Sequence, residues 1–525
     1  MSILYRDILY PIFEELQYDK KSLASCLRVN KTWCEIVIPI LWRNPWEHLT
    51  SWRKKLLLSV IISHLSDGAR TSINQHFGFF TNSYKRPLFN YISFCRYLNL
   101  GVIENVMNAY IHYEEFRNDI LRLFINENAE YTHLYMPDYR DYHLFPGAEQ
   151  CFSEIKFLRC IGKVKDNTLS MLTRTCKSIK ELKFYAYGND YNCGIAKLIE
   201  NQKGLFSINF LNDFYDGSSS RKIIENSLIK HADTIQHFSI CEQPETKVLT
   251  SLVNLRILEL ISANPYIELR WDNIKDLNLP FLHTLIASSI PINCLINLIE
   301  KSGRKLTKIY YHHNRSVIDN KEIIQAIYQN CPNLMYLEFL YKNENSIDFE
   351  KLLINCQYLK RLDFCIYFYY NVYNVHHRSS FPWDNLFGIL AKSSPPSLFE
   401  FVFKYTNDNP KLESLKLFFD NWEGRHLISL KFKKESYHYD ESGYDGLIDL
   451  IERYKKKGVV KKFIHYDNDE DSNLLEIYKA KKAINNPEGV GNIPENVVNN
   501  PENIVKNSES KATSILSRFK KIFFN

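Results

Sequence analysis

Twelve cysteines and 16 histidines are the side chains of this 525-residue chain best suited to nucleophilic or metal chemistry. A cysteine nucleophile needs a base brought beside it by the fold. A structural zinc site needs several cysteines or histidines gathered at short spacing. No Cys-x-x-Cys occurs, and Cys26 and Cys34 fall on two different predicted helices with no histidine close by. His312–His313 and His376–His377 are adjacent pairs. Neighbours on a strand point to opposite faces, so these pairs suit a metal poorly and are read as surface residues. There is no Walker loop, Gly-x-Gly-x-x-Gly, His-Glu-x-x-His or Gly-x-Ser-x-Gly. Glycine, at 17 residues, is too sparse for a phosphate-binding α/β enzyme or a turn-rich β sandwich. The expectation is a non-catalytic chain with no metal and no cofactor.

Three of the cysteines do recur in a pattern. "CKSIKELKF" (176–184), "CPNLMYLEF" (331–339) and "CQYLKRLDF" (356–364) all read Cys-x-x-Ile/Leu-x-x-Leu-x-Phe. The same frame without its cysteine recurs from "IKFLRC" (155–160) to "VKKFIH" (460–465). The fourth residue of this six-residue frame is Leu158, Leu182, Ile208, Phe238, Leu258, Leu285, Ile309, Leu337, Leu362, Phe401, Leu430 and Phe463 in turn. The mean step is roughly 28 residues, within the range of strand-and-helix repeats. "YTHLYM" (131–136) is a further copy upstream.

The end of each frame alternates, which is strand periodicity. Between frames, "DNTLSMLTRTC" (166–176) and "KEIIQAIYQNC" (321–331) place their apolar residues on one helical face. Each unit is thus a strand plus a helix that must stack on its neighbours to be buried. The cysteines fall at the helix-to-strand corner as small apolar residues, and Pro332 ends the helix before it. An ordinary α/β sheet with helices on both sides is the alternative. The frame resembles the cysteine-containing class of leucine-rich repeats found in F-box proteins. That resemblance implies an α/β solenoid (horseshoe) of about 12 units over residues 131–470.

The N-terminal segment predicts three short helices: Ile8, Leu9, Ile12, Phe13 and Leu16 after Asp7; Leu23 and Cys26 after an N-capping Ser22; and Trp33, Ile36 and Val37 after an N-capping Asn30, ended by Pro39. So small a unit needs further surface to be stable. The stretch resembles an F-box, carried by "ILYPIFEEL" (8–16), "SLASCLRVNKTW" (22–33) and "PILW" (39–42). It departs from that pattern in having Tyr5 where the family has proline, and in carrying Pro11 within its first helix. The resemblance implies a domain over residues 1–47 that binds a Skp-family adaptor, and through it the cullin and RING subunits of an SCF-type ubiquitin ligase. The matching adaptor contacts are Leu4, Ile8, Leu23, Val29, Trp33 and Trp42.

Residues 48–130 are expected to be a helical linker or cap, with "YISFCRYL" (91–98) and "VIENVMNAYI" (102–111) as helices. Residues 484–525 are expected to be a disordered, basic-ended tail. The strand residues between the buried positions face a partner: Phe157, Arg159, Glu181, Lys183, Tyr336, Glu338, Arg361 and Asp363. Mixed charge with aromatic anchors suits a protein, and the net charge of +6 lacks the basic stripe nucleic acid requires. The region after Met1 has no apolar leader core, and no apolar run is long enough to span a bilayer. Scattered cysteines suit a reducing compartment, cytoplasmic or nuclear. The functional expectation is recognition of a protein substrate for ubiquitin-dependent degradation, with a non-degradative binding scaffold as the alternative.

Overall fold

The computed structural model describes residues 6–466, apart from residues 48, 78–86, 112, 138–139, 163, 187–192, 213–218, 263–270, 272–273, 275–276, 313–319, 367–380, 407–408 and 435–443. Leu4, Tyr5, His313, His376, His377 and the 484–525 tail lie outside the described residues.

The fold is α/β. Fourteen parallel strands form a sheet whose spatial order is the order of the chain. They are β1 (Tyr97–Asn99), β2 (His133–Met136), β3 (Phe157–Ile161), β4 (Glu181–Ala186), β5 (Ser207–Asn212), β6 (His237–Ile240) and β7 (Ile257–Ile261), followed by β8 (Thr284–Ser288), β9 (Lys308–His312), β10 (Tyr336–Leu340), β11 (Arg361–Ile366), β12 (Glu400–Tyr405), β13 (Ile428–Lys434) and β14 (Val460–Tyr466). Contacts divide the chain into two compact units, with the change from the first to the second falling between Phe206 and Ile229, where Ser207–Tyr215 belong to the second unit and Asp216–Leu228 to the first, inside the region predicted as one array.

All twelve frame residues lie on strands, and each is at most 5% exposed. In the second unit they stand directly opposite one another: Ile208, Phe238, Leu258, Leu285, Ile309, Leu337, Leu362, Phe401, Leu430 and Phe463 form one row across ten strands. Parallel strands require a crossover, and most crossovers here are helical. The helices Ile292–Ser302, Lys321–Asn330, Ser346–Asn355, Trp383–Ser393, Leu412–Trp422 and Tyr444–Lys456 each pack on the next. Phe401 meets Phe418 and Trp422 from this helical layer, so the frame residues face it.

A second repeated feature is one backbone carbonyl per crossover that accepts two N–H groups from the start of the following strand. Gln236 O takes Arg256 and Ile257, Arg256 O takes His283 and Thr284, and His283 O takes Thr307 and Lys308. The series continues with Thr307 O to Met335 and Tyr336, and Met335 O to Lys360 and Arg361. In the first unit the same series runs from Arg96 O through Thr132 O to Lys156 O.

Cys176, Cys331 and Cys356 each follow the last residue of a helix, at the corner expected for them. Cys176 Sγ donates to Phe152 O (2.9 Å), and Cys356 Sγ to Cys331 O (3.7 Å). Burial raises the Cys176 thiol to about 11 and that of Cys356 to about 12, so both stay protonated and unreactive at neutral pH.

Three helices open the described chain: α1 (Arg6–Glu15), α2 (Lys20–Cys26) and α3 (Lys31–Trp42). Asn30 caps α3 as expected, accepting from Trp33 N at 2.9 Å. Four expectations differ. Asp7 lies inside the first turn of α1, which makes Pro11 an interior residue. The cap of α2 is Asp19, which accepts from Ser22 N (3.1 Å) and Ser22 Oγ (2.6 Å); its acceptor oxygens serve both, while Ser22 sits within the helix. Pro39 does not end α3, because Ile36, Val37, Ile38 and Ile40 are buried around it and hold the helix through one missing bond. Residues 91–98 are not one helix: Tyr91–Phe94 is a single 3₁₀ turn and Tyr97 begins β1. By contrast, Leu100–Tyr110 is helical as predicted.

Leu362 is fully buried between Leu337 and Phe401 in the apolar row. Leu362→Ala is expected to lower unfolding free energy by about 2–5 kcal/mol, measured by denaturant unfolding. Tyr358→Ala, at a 61%-exposed position on the same crossover, is expected to stay within about 0.5 kcal/mol of the parent.

Candidate functional site

The residues singled out in the sequence lie on the N-terminal helical segment and on the sheet face of each unit. The core of the helical segment joins Leu9, Phe13, Leu23, Leu27, Ile36, Val37, Ile38 and Ile40 to Tyr91, with Val60, Phe89 and Phe94 packed against it. The further surface that so small a segment needs is therefore supplied in part by Val60, Phe89, Tyr91 and Phe94. This corrects one expected partner contact, because Leu23 is fully buried. Trp33 stacks edge-on against Phe13 at 4.9 Å, and Trp42 packs on Tyr91 at 4.8 Å. Both tryptophans are half-buried, packed against the core with part of each side chain at the surface.

Ile8 and Val29, in contrast, are 51% and 55% exposed. Ile12, one turn after Ile8 on the same face of α1, is 49% exposed, and Tyr10 beside it is 46% exposed. Ile12 belongs to the predicted apolar stripe but is not among the expected partner contacts. The stripe is wider than the core needs: Leu9 and Phe13 face inward, Ile8 and Ile12 outward.

Arg43 fixes this segment. Its guanidinium donates to both oxygens of Glu14 (2.5 and 2.9 Å) and to Tyr10 Oη (3.3 Å). That hydrogen-bonded pairing holds the Glu14 carboxyl below its usual range and raises Arg43. The Arg43 carbonyl accepts from Arg96 N (3.0 Å) and Tyr97 N (3.2 Å), and Trp46 Nε1 donates to Tyr97 O (2.5 Å). Arg43 thus continues, one step upstream, the two-acceptor carbonyl series of the strands, and the end of α3 docks on β1.

The second surface is the sheet face opposite the frame residues. In the first unit it carries Phe157 opposite Glu181 and Arg159 opposite Lys183. Lys183 Nζ lies 5.8 Å from the Phe157 ring and Arg159 4.8 Å from that of Tyr185. His133 is stacked between Tyr97 (3.8 Å) and Phe157 (5.3 Å), and burial lowers its pKa to about 4.

In the second unit Tyr336, Glu338, Arg361 and Asp363 come together as expected, but two of them are not partner-facing. Glu338 is 4% exposed and Asp363 2%. Tyr336 Oη reaches both, at 3.2 Å from Glu338 Oε2 and 2.9 Å from Asp363 Oδ2. Arg361 grips Asp363 with two hydrogen bonds (2.7 and 2.9 Å) and reaches Glu400 at 3.2 Å. Lys404 Nζ contacts Glu338 Oε1. Buried carboxylates persist only with such partners. Hydrogen bonding to Asp363 raises Arg361. For Lys404, burial opposes the charge, but the bond to Glu338 and the negative charges of Glu338 and Asp363 outweigh it. Burial, reinforced by both carboxylates, raises Tyr336 far above a free phenol.

His312 and Cys365 border the same carboxylate. His312 Nε2 is 3.5 Å and Cys365 Sγ 3.8 Å from Glu338 Oε1. Sequence reasoning passed over Lys404 and Cys365, and judged His312 by its neighbour His313. The signal was the alternation itself: Cys365 is two residues past Asp363, and Lys404 four past Glu400, so both share their face.

No model of a known protein family matches the chain, and no curated protein matches it. Among the described residues, no helix is long and apolar enough to cross a membrane.

His133 is held neutral by burial, so its contribution to stability is full above the unfolded-state value of about 6.5 and is lost as pH falls through about 4. Thermal melts from pH 7 to 4 are expected to fall more steeply for the parent than for His133→Phe. Parallel curves would remove His133 from the account.

Proposed function

We propose that the chain is the substrate-recognition subunit of an SCF-type ubiquitin ligase. In this reading, α1–α3 act as an F-box that binds a Skp-family adaptor, which brings the cullin and RING subunits. The strands and helices that follow act as a leucine-rich-repeat solenoid that binds a target protein. The chain does no chemistry of its own. It holds the target near a charged ubiquitin-conjugating enzyme, and its contribution is proximity. The setting is cytoplasmic or nuclear, and degradation of the target follows.

The observation that carries the proposal is the exposure of Ile8, Ile12 and Val29 on a helical segment whose own core closes on Leu9, Phe13, Leu23, Ile36 and Val37. Apolar side chains grouped on one helix face favour burial against a partner. The F-box resemblance of residues 8–42 names the kind of partner. The docking of Arg43 and Trp46 on β1 supports a fixed connection between that partner and the strands that follow. The row of frame residues supports the repeat reading. On the opposite face, Arg159, Lys183 and Tyr185 are half-buried side chains available to a target.

The test is co-purification. Wild-type chain is expected to retain the Skp adaptor. Ile8→Asp with Val29→Asp, at two half-exposed positions, is expected to reduce retention at least tenfold with unchanged circular dichroism. Equal retention by both proteins, or none by either, would overturn the proposal. Retention of adaptor with target levels unchanged on depletion would favour a non-degradative scaffold instead.

A further inference from the structure

We propose that the sheet face across β9, β10 and β11 is a divalent transition-metal site, with His312, Glu338 and Cys365 as its protein ligands and zinc as the ion that suits them best. The inference is independent of ubiquitin-ligase function.

Strand register brings the three ligands together. Glu338 on β10 is paired with Tyr310 on β9 and with Asp363 on β11. His312 and Cys365 each lie two residues further along their strands, so they flank the Glu338 side chain from both sides on one face. The distances are 3.5 Å from His312 Nε2 to Glu338 Oε1, 3.8 Å from Cys365 Sγ to the same oxygen, and 4.0 Å from Cys365 Sγ to His312 Nδ1. The three donors lie within 4.8 Å of one another. Zinc bonds of about 2.0–2.3 Å in tetrahedral geometry place neighbouring donors about 3.5 Å apart. One ring nitrogen of His312 binds, so closing the cluster on an ion takes adjustment of that side chain and withdrawal of Lys404 from Glu338 Oε1.

The donor set is one imidazole nitrogen, one sulfur and one carboxylate oxygen. A borderline-soft ion such as zinc accepts all three, whereas calcium and magnesium reject the sulfur. The second layer is in place as well. The single proton of Tyr336 Oη is shared between Asp363 Oδ2 (2.9 Å) and the other oxygen of Glu338 (3.2 Å), which ties the two carboxylates together. Glu338 and Cys365 are buried, while the His312 side chain is 36% exposed and opens the site to solvent. Three protein ligands leave the fourth position to water.

Charge explains how the site stands without an ion. Lys404 Nζ touches the oxygen that the metal would share, so an ammonium serves as the cation there. A zinc ion with one thiolate and one carboxylate sums to zero charge. Binding therefore exchanges the ammonium and the thiol proton for the metal, with Asp363 close enough to attract the displaced Lys404. Lys404 is a competitor for the site, and its removal has an effect opposite in sign to the removal of a ligand.

The experiment titrates the reduced full-length chain with Co2+ and follows the thiolate-to-cobalt charge-transfer absorption. One Co2+ per chain is expected, with the band bleached by Zn2+. Cys365→Ser is expected to abolish the band, His312→Ala to weaken binding at least tenfold, and Lys404→Gln to tighten it severalfold. Absence of the band in wild type, or a band undiminished in Cys365→Ser, would overturn the assignment. Circular dichroism checks each variant, and the half-exposed His312→Ala keeps the test decisive if Lys404→Gln or Cys365→Ser fails to fold.

Discussion

Leu337 stands between Ile309 and Leu362, and the same row of buried apolar residues continues across every strand of the second unit. This single register is the constraint on which the remaining structure depends. Side chains on a strand alternate between faces, so fixing one buried position per strand fixes all the others. It assigns Phe339, Phe364 and Phe403 to the helical side, where Phe364 and Phe403 stack at 5.1 Å. It also aligns the crossover carbonyls, each of which accepts two N–H groups from the next strand. A slip by one residue would turn the buried row toward the opposite face.

The opposite face inherits whatever the alternation leaves there, and in β9–β12 it inherits charge. Glu338 and Asp363 are adjacent, buried acids that would repel each other if left alone. Lys404, Arg361 and the shared Tyr336 hydroxyl compensate them. Such networks seldom add net stability over an apolar core. The proposed metal site gives this one a purpose, because it gathers a carboxylate, a thiol and an imidazole within 4.8 Å of one another. The half-buried cations and aromatic rings of β3 and β4 have no comparable buried acids. That difference separates a surface open to a partner from a network closed on itself.

The strands after β1 were legible because the frame that carries each of them gives a local signal, an apolar repeat over about six residues. The cysteine corners were legible for the same reason. The N-terminal caps were less so: Asp19 and Ser22 are both good capping residues three positions apart, and only the backbone shows which one begins α2. Pro39 was misread because a proline's local penalty is outweighed by four buried neighbours. The 91–98 segment was misread because β1 has only three residues, too few to display a period. Site residues followed the same division. Phe157, Arg159, Tyr336 and Arg361 were placed on the right face by alternation, whereas the burial of Glu338 and Asp363 comes from residues on other strands. Leu23 looks alike in sequence to Ile8 and Val29; its full burial, and the half-burial of Trp33 and Trp42, depend on side chains brought in from elsewhere in the chain, Phe13 and Tyr91 among them.

The central claim is that the apolar face of α1 and the turn at Val29 form the docking end of a chain whose strands present a second binding surface. Hydrogen–deuterium exchange of the full-length protein with and without a Skp-family adaptor tests it most directly. The account predicts adaptor-dependent protection concentrated in residues 6–30, with the β5–β14 strands unchanged. Adaptor-induced protection confined to the strands, or no change anywhere at saturating adaptor, would contradict it.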